Sequence, residues 1–156
     1  MATTVNAATL SVTITENVSL ANHAYGNSIV KSINGQGQAD QRIMNIAVGA
    51  EGAFTSILNL STVDERGQVV VANFGYFRIT NLDDTNYVTL KFYINATHTY
   101  FVKLEAGESY LLMSPDADVT CEDGAPSLAD VTQILADANT AAVDIEYLAI
   151  TSGAAS

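Results

Sequence analysis

An all-β domain is predicted from this 156-residue sequence: an antiparallel β-sandwich, jelly-roll-like, with about eight to ten strands. Three observations carry that expectation. Apolar residues recur at every second position in run after run, as strands with one face on a core require. The runs are dominated by Val, Ile, Thr, Tyr and Phe, which pleated surfaces accommodate best. Short segments rich in Gly, Asn and Asp separate them at hairpin-like intervals. The length suits one domain, since two would each have a marginal core.

Taken along the chain, Met1 to Thr9 reads as a flexible N-terminal arm and residues 10–150 as the folded domain, with 151–156 as a tail. Leu10, Val12 and Ile14 alternate with Ser11, Thr13 and Thr15, which predicts a first strand with one face on the core. Further strands are expected near Ser28–Ile33, Arg42–Val48, Phe54–Leu60, Val69–Phe74, Phe77–Asn81 and Val143–Ile150. In the clearest stretch, Val88, Leu90, Phe92 and Ile94 share one face. Tyr100, Val102 and Leu104 do so in the next run, and Ser109 to Met113 follows after Glu105-Ala106-Gly107-Glu108. These three runs predict a meander from Tyr87 to Met113. One segment is ambiguous. Leu128, Val131, Ile134, Leu135 and Ala138 fall at helical spacing behind Ser127 as an N-cap, favouring one short helix over 128–137, whereas Ile134, Ala136 and Ala138 alternate as in a strand.

The charge balance excludes a class of partners. A net charge of −11 with only six Lys and Arg, none adjacent, offers no counterion-releasing patch for nucleic acid, and an anionic membrane would repel the chain. Charged residues are 15% of the chain, below the roughly one quarter usual for soluble domains, which fits either an outer surface of uncharged Thr, Ser, Asn and Ala or one partly covered by another subunit, the latter leaning towards an assembly. Cys121 is the only cysteine, so no internal disulfide forms. MATTVNAATL lacks the pattern of a Sec-type signal peptide, and no run approaches the roughly 20 apolar residues of a membrane span. Synthesis in a reducing host cytoplasm is expected.

Each candidate for chemistry has a stronger plain reading. Asp116, Asp118, Glu122 and Asp123 could surround Ca²⁺, but EF-hand spacing is missing and a solvated acidic loop is preferred. Asp83 and Asp84 could form an acid–base pair, yet adjacent Asx side chains in a turn bond their own backbone. Cys121 would need His23 or His98 nearby, and its acidic neighbours raise a thiol pKa. Both histidines read as loop residues, too few for a zinc site. Gly35-Gln36-Gly37 lacks the third glycine of a dinucleotide loop, with Asp40 in its place, and reads as a flexible loop tip. Of the seven tyrosines, Tyr100 and Tyr147 fall on inward positions. The sequons at Asn17, Asn59 and Asn95 carry no message without secretion. No catalytic residue, cofactor site or metal site is assigned, and an enzyme is not expected.

The phrase FRITNLDDTNYVTLKFYINATHTYFVKLEAGESYLLM, Phe77 to Met113, resembles a strand-and-turn pattern of small structural proteins in tailed bacteriophage virions. Its marks are a strand ending in Thr80-Asn81, an Asp/Thr/Asn turn, a hairpin, and the turn Leu104-Glu105-Ala106-Gly107-Glu108-Ser109. Ala141 to Ile150 resembles the closing strand of the same proteins. The resemblance covers about a third of the chain. It implies a capsid decoration (cement) protein on the virion exterior, binding the major capsid protein or other virion proteins, as a homo-oligomer with a trimer favoured. The alternatives are a tail, neck or fibre component, or a carbohydrate- or receptor-binding sandwich. On the cement reading, the arm Met1 to Thr9 lies along a neighbouring subunit.

Overall fold

The computed structural model describes residues 7–50, 52–62, 69–96, 98–113, 118–119 and 129–152, the pair 118–119 by backbone alone. Apart from one 3₁₀ turn at Val71–Asn73, every regular element among them is a strand. In chain order these are β1 (Ala8–Thr15), β2 (Val18–Leu20), β3 (His23–Tyr25), β4 (Ser28–Ile46), β5 (Thr55–Ser61), β6 (Val69–Val70) and β7 (Phe74–Asn81). They continue with β8 (Val88–Tyr93), β9 (Thr99–Leu104), β10 (Ser109–Leu112), β11 (Asp118–Val119), β12 (Ala129–Asp130), β13 (Gln133–Ala138) and β14 (Val143–Ser152). No helix among the described residues is long and apolar enough to cross a membrane.

Two five-stranded sheets curl around one core, in the orders β1-β4-β14-β7-β10 and β6-β5-β13-β8-β9. Their antiparallel pairings nest: β4 with β14, β5 with β13, β7 with β10, and β8 with β9. A long folded-over ribbon, wrapped so that its successive pairs fall alternately in the two sheets, produces that nesting. It is the jelly-roll arrangement, and the expected all-β sandwich is thereby the observed fold.

Period two does the work inside the wrap. Val88, Leu90 and Phe92 of β8 and Ile134, Ala136 and Ala138 of β13 are buried between the sheets, facing Phe77 and Ile79 of β7 and Val143, Ile145 and Tyr147 of β14. Phe92 stacks on Tyr100 with ring centres 4.5 Å apart, in an aromatic contact that adds to its burial. Asn95 closes the β8–β9 hairpin, its Oδ1 accepting the His98 amide at 2.9 Å.

Several expectations are corrected. The helix expected over 128–137 is absent where the chain is described. Ala129–Asp130 and Gln133–Ala138 are strands, because two flanking strands, β5 and β8, satisfy the β13 backbone. The meander ends after its second strand. Beyond Gly107, at φ +74°, β10 crosses to the other sheet and pairs with β7, which seals the sandwich end with half-buried Tyr110 and Leu112. Ser28–Ile33 and Arg42–Ile46 are parts of one strand, which ends two residues before the expected Val48, and Gly35-Gln36-Gly37 lies within it rather than at a loop tip. Gly35, at φ +76°, absorbs the register shift between β1 and β4. The strands also overrun the predicted domain limits, since β1 begins at Ala8 and β14 runs to Ser152.

Candidate functional site

The largest departure from a closed sandwich lies at the N-terminal side. β1, β2, β3 and the first half of β4 form one continuous two-stranded ribbon. The residue numbers of its cross-strand pairs keep the same sum from Leu10↔Ile33 through Thr15↔Ser28 to Val18↔Tyr25 and Leu20↔His23, so nothing is inserted. The Glu16 amide bonds the Asn27 carbonyl at 2.8 Å across the short gap between the paired segments. From Leu10 to Leu20 the ribbon is roughly 34 Å long at about 3.4 Å per residue.

Its tip is a two-residue turn, Ala21-Asn22, with φ +49° and +65°. Positive φ at both central positions is the type I′ geometry that matches strand twist. Near the middle, Gly26 sits at φ +116°, and a Cβ there would lie 2.2 Å from the Glu16 carbonyl oxygen. Only glycine fits where the two backbones approach so closely.

Directly paired residues share a face, and faces alternate along the strand. One face therefore carries Leu10/Ile33, Val12/Lys31, Ile14/Ile29, Glu16/Asn27, Val18/Tyr25 and Leu20/His23 in successive rows. The opposite face carries Ser11/Ser32, Thr13/Val30, Thr15/Ser28 and Ser19/Ala24, tied by a Thr15–Ser28 hydroxyl bond of 3.2 Å. Period two predicts this segmentation of apolar and polar residues, but the expected core contact is missing. Leu10, Val12 and Ile33 at the base are half-buried, while Ile29 is 59% exposed and Leu20 66% exposed. An isolated two-stranded hairpin is marginal in water, and an apolar face left in solvent marks an interaction surface.

A second feature is a cleft of about 490 Å³ between β4 and β14 on one sheet and β5 and β6 on the other. Ile57, Leu58, Leu60 and Val69 line its floor, with Asp40, Arg42 and Tyr147 at one wall. The Tyr147 hydroxyl donates to Asp40 Oδ2 at 2.8 Å, and Arg42 Nε donates to Asp40 Oδ1 at 3.0 Å. Burial, then the neighbouring Asp40 carboxylate, pushes the Tyr147 phenol up to about 12. A phenol so held is protonated at neutral pH and an arginine is always charged, so both act here as donors to the Asp40 carboxylate, and the Tyr147 bond ties β14 to β4. The inward position assigned to Tyr147 is correct.

On the outer face of the second sheet, the Lys91 ammonium lies 5.4 Å from the Phe54 ring centre and 5.9 Å from those of Tyr93 and Phe101. Phe101, paired with Lys91 across β8–β9, is mostly exposed. The lysine ammonium sits within cation–π range of all three rings.

Among the described residues, the remaining candidates do not assemble. Asp83 and Asp84 are turn residues, as expected. Asp83 Oδ1 accepts the amides of Asn86 and Thr85 at 2.6 and 2.8 Å, and Asp84 accepts the Thr85 hydroxyl at 2.9 Å. Those bonds, the Asn86 amide first, hold the Asp83 carboxyl below the usual carboxylate range. His98 lies in the turn before β9, as expected, but His23 is a strand residue next to the ribbon tip. Cys121 and the proposed Ca²⁺ ligands Asp116, Glu122 and Asp123 lie outside the described residues, and of Asp118 the backbone alone is placed, paired with Asp130. No group of three or more His, Cys, Asp or Glu that could hold a metal ion occurs among the described residues.

Sequence reasoning passed over Asn81, which is fully buried. Its Nδ2 donates to the carbonyls of Asn86 and Leu104, and its Oδ1 accepts the Asp83 amide. A polar residue ending an apolar strand before an Asp-rich turn was the available signal. No family model, curated protein or solved structure matches the chain.

Proposed function

We propose that the chain is a non-enzymatic structural protein of a virus particle: a capsid decoration (cement) protein that binds the outer capsid surface as a homo-oligomer and stabilises contacts between major capsid subunits. The ribbon is the observation that carries this reading. Some 34 Å of paired strand exposes one apolar face to water, which makes physical sense when another protein surface covers it. The strand-and-turn resemblance of Phe77–Met113 supplies the virion context, and the net charge of −11 suits an exterior position away from packaged DNA. The jelly roll is compatible but selects nothing by itself, since capsid, lectin and enzyme domains share it.

A carbohydrate- or receptor-binding fibre module is the second reading, favoured by the exposed Phe101 ring beside half-buried Phe54. The amine of Lys91 over those rings weighs against sugar stacking. Mixing the purified chain with undecorated tailed-phage capsids separates the two. Saturation at a defined stoichiometry, in multiples of three on the trimer reading, is the expected result. No capsid binding together with selective signals on a glycan array would replace the cement reading with the fibre one.

A further inference from the structure

We propose that the ribbon of residues 10–33 is a self-association surface, on which a second copy of this chain lays its own ribbon face to face, antiparallel, about a two-fold axis through the Ile14/Ile29 row. The order of the rows carries the proposal. Counted from Ile14/Ile29, the neighbouring row on one side is Val12/Lys31 and on the other Glu16/Asn27. The rows beyond these are Leu10/Ile33 and Val18/Tyr25.

A two-fold axis through the central row exchanges the two sides. Apolar rows then meet apolar rows: Ile14/Ile29 packs on its own copy, and Leu10/Ile33 packs on Val18/Tyr25 of the second copy. The charged rows also meet each other. Glu16 comes opposite Val12 of the second copy and one strand spacing, about 4.8 Å, from its Lys31. The same contact repeats by symmetry, as an isologous interface demands. A parallel two-fold stacking would instead set each charged row on its own copy, bringing Glu16 beside Glu16 and Lys31 beside Lys31 at one strand spacing.

Net charge points the same way. With His23 counted neutral, Glu16 and Lys31 are the only charged residues between Ala7 and Gln36, so this neutral segment is where copies of a −11 chain meet with least repulsion. The footprint, roughly 34 by 10 Å, is below the roughly 800 Å² per partner of a standard interface, so the pairing is expected to be weak and reversible. The pairing claims the same apolar face that the virion reading gives to a capsid subunit, and it sets a two-fold dimer against that reading's trimer.

Sedimentation velocity of the full chain from about 1 to 200 μM, a range bracketing micromolar affinity, is expected to show a reversible monomer–dimer equilibrium. Ile29→Asp puts like charges on the axis and raises the dissociation constant at least about 100-fold. An unchanged melting transition confirms that the sandwich of this variant is folded. Glu16→Lys or Lys31→Glu alone weakens pairing roughly tenfold, their equimolar mixture forms the mixed dimer, and the double reversal Glu16→Lys/Lys31→Glu regains wild-type pairing. A wild-type monomer throughout, or any oligomer indifferent to Ile29→Asp, overturns the proposal. A double reversal as weak as the single ones overturns its register. Dimers that ignore capsids would sink the virion reading and leave this one standing, and capsid binding by a strictly monomeric chain would do the reverse.

Discussion

At the scale of single residues, the most consequential polar group is Asn81. Its side chain joins the end of β7 to the 83–86 turn and to the end of β9, with both amide protons and the carbonyl used. Asn81→Leu would leave a buried amide and two carbonyls without these partners, and is expected to cost about 3 kcal/mol, measured by urea unfolding. Asp83 gives a pH signature. Its folded pKa lies below its unfolded value near 3.8, so its stabilisation is complete above that value and is lost as the pH falls through the lower folded pKa. The difference in stability between wild type and Asp83→Asn should therefore shrink on acidification below about pH 4. A gap that stays constant down to pH 2 would mean that the turn does not depend on the ionised carboxylate. In the ribbon tip, Ala21 takes a left-handed conformation that costs a non-glycine residue about 1 kcal/mol. Ala21→Gly is expected to slow hydrogen exchange of the Leu20 and His23 amides.

At the scale of elements, identical chemistry has opposite consequences in different strands. Ile79 of β7 is wholly buried and Ile29 of β4 stands in solvent, although each lies in an alternating apolar run. Ile79→Ala should cost about 2–5 kcal/mol through lost burial and a residual cavity. Ile29→Ser, read at a concentration where the chain is monomeric, should stay within about 0.5 kcal/mol. Equal losses would show that the ribbon packs on the sandwich in solution. β4 joins these two regimes, since one 19-residue strand serves first as a ribbon edge and then as a sandwich strand. The buried Gln36 marks the changeover, between Gly35 and Gly37.

On the scale of the whole molecule, the wrap separates a closed core from surfaces without an internal use. The core is continuous from Ile46 through Phe77, Phe92 and Ile134 to Tyr147. The ribbon forms none of it. If residues ahead of β1 extend the same contact surface along a neighbouring capsid subunit, deleting residues 2–7 should lower capsid occupancy while leaving the melting transition unchanged. Undiminished occupancy would remove that part of the cement reading.

The sequence by itself determined the class of fold, most strand positions and the turn at Asp83, because period-two alternation and Asx–backbone hydrogen bonds act over a few residues. It also determined which side of each strand is apolar. What covers that side is a long-range matter, decided by the tertiary structure alone. Leu10, Val12 and Ile14 alternate as cleanly as Val88, Leu90 and Phe92, yet the first run edges an exposed ribbon and the second fills the core. The 128–137 segment was ambiguous for the same reason. Its apolar spacing fits helix or strand, and the unpaired edges of β5 and β8 on either side select the strand. Partner choice likewise sent β10 to β7 instead of β9, since backbone pairing is blind to sequence and only closure of the two sheets over one core distinguishes the alternatives.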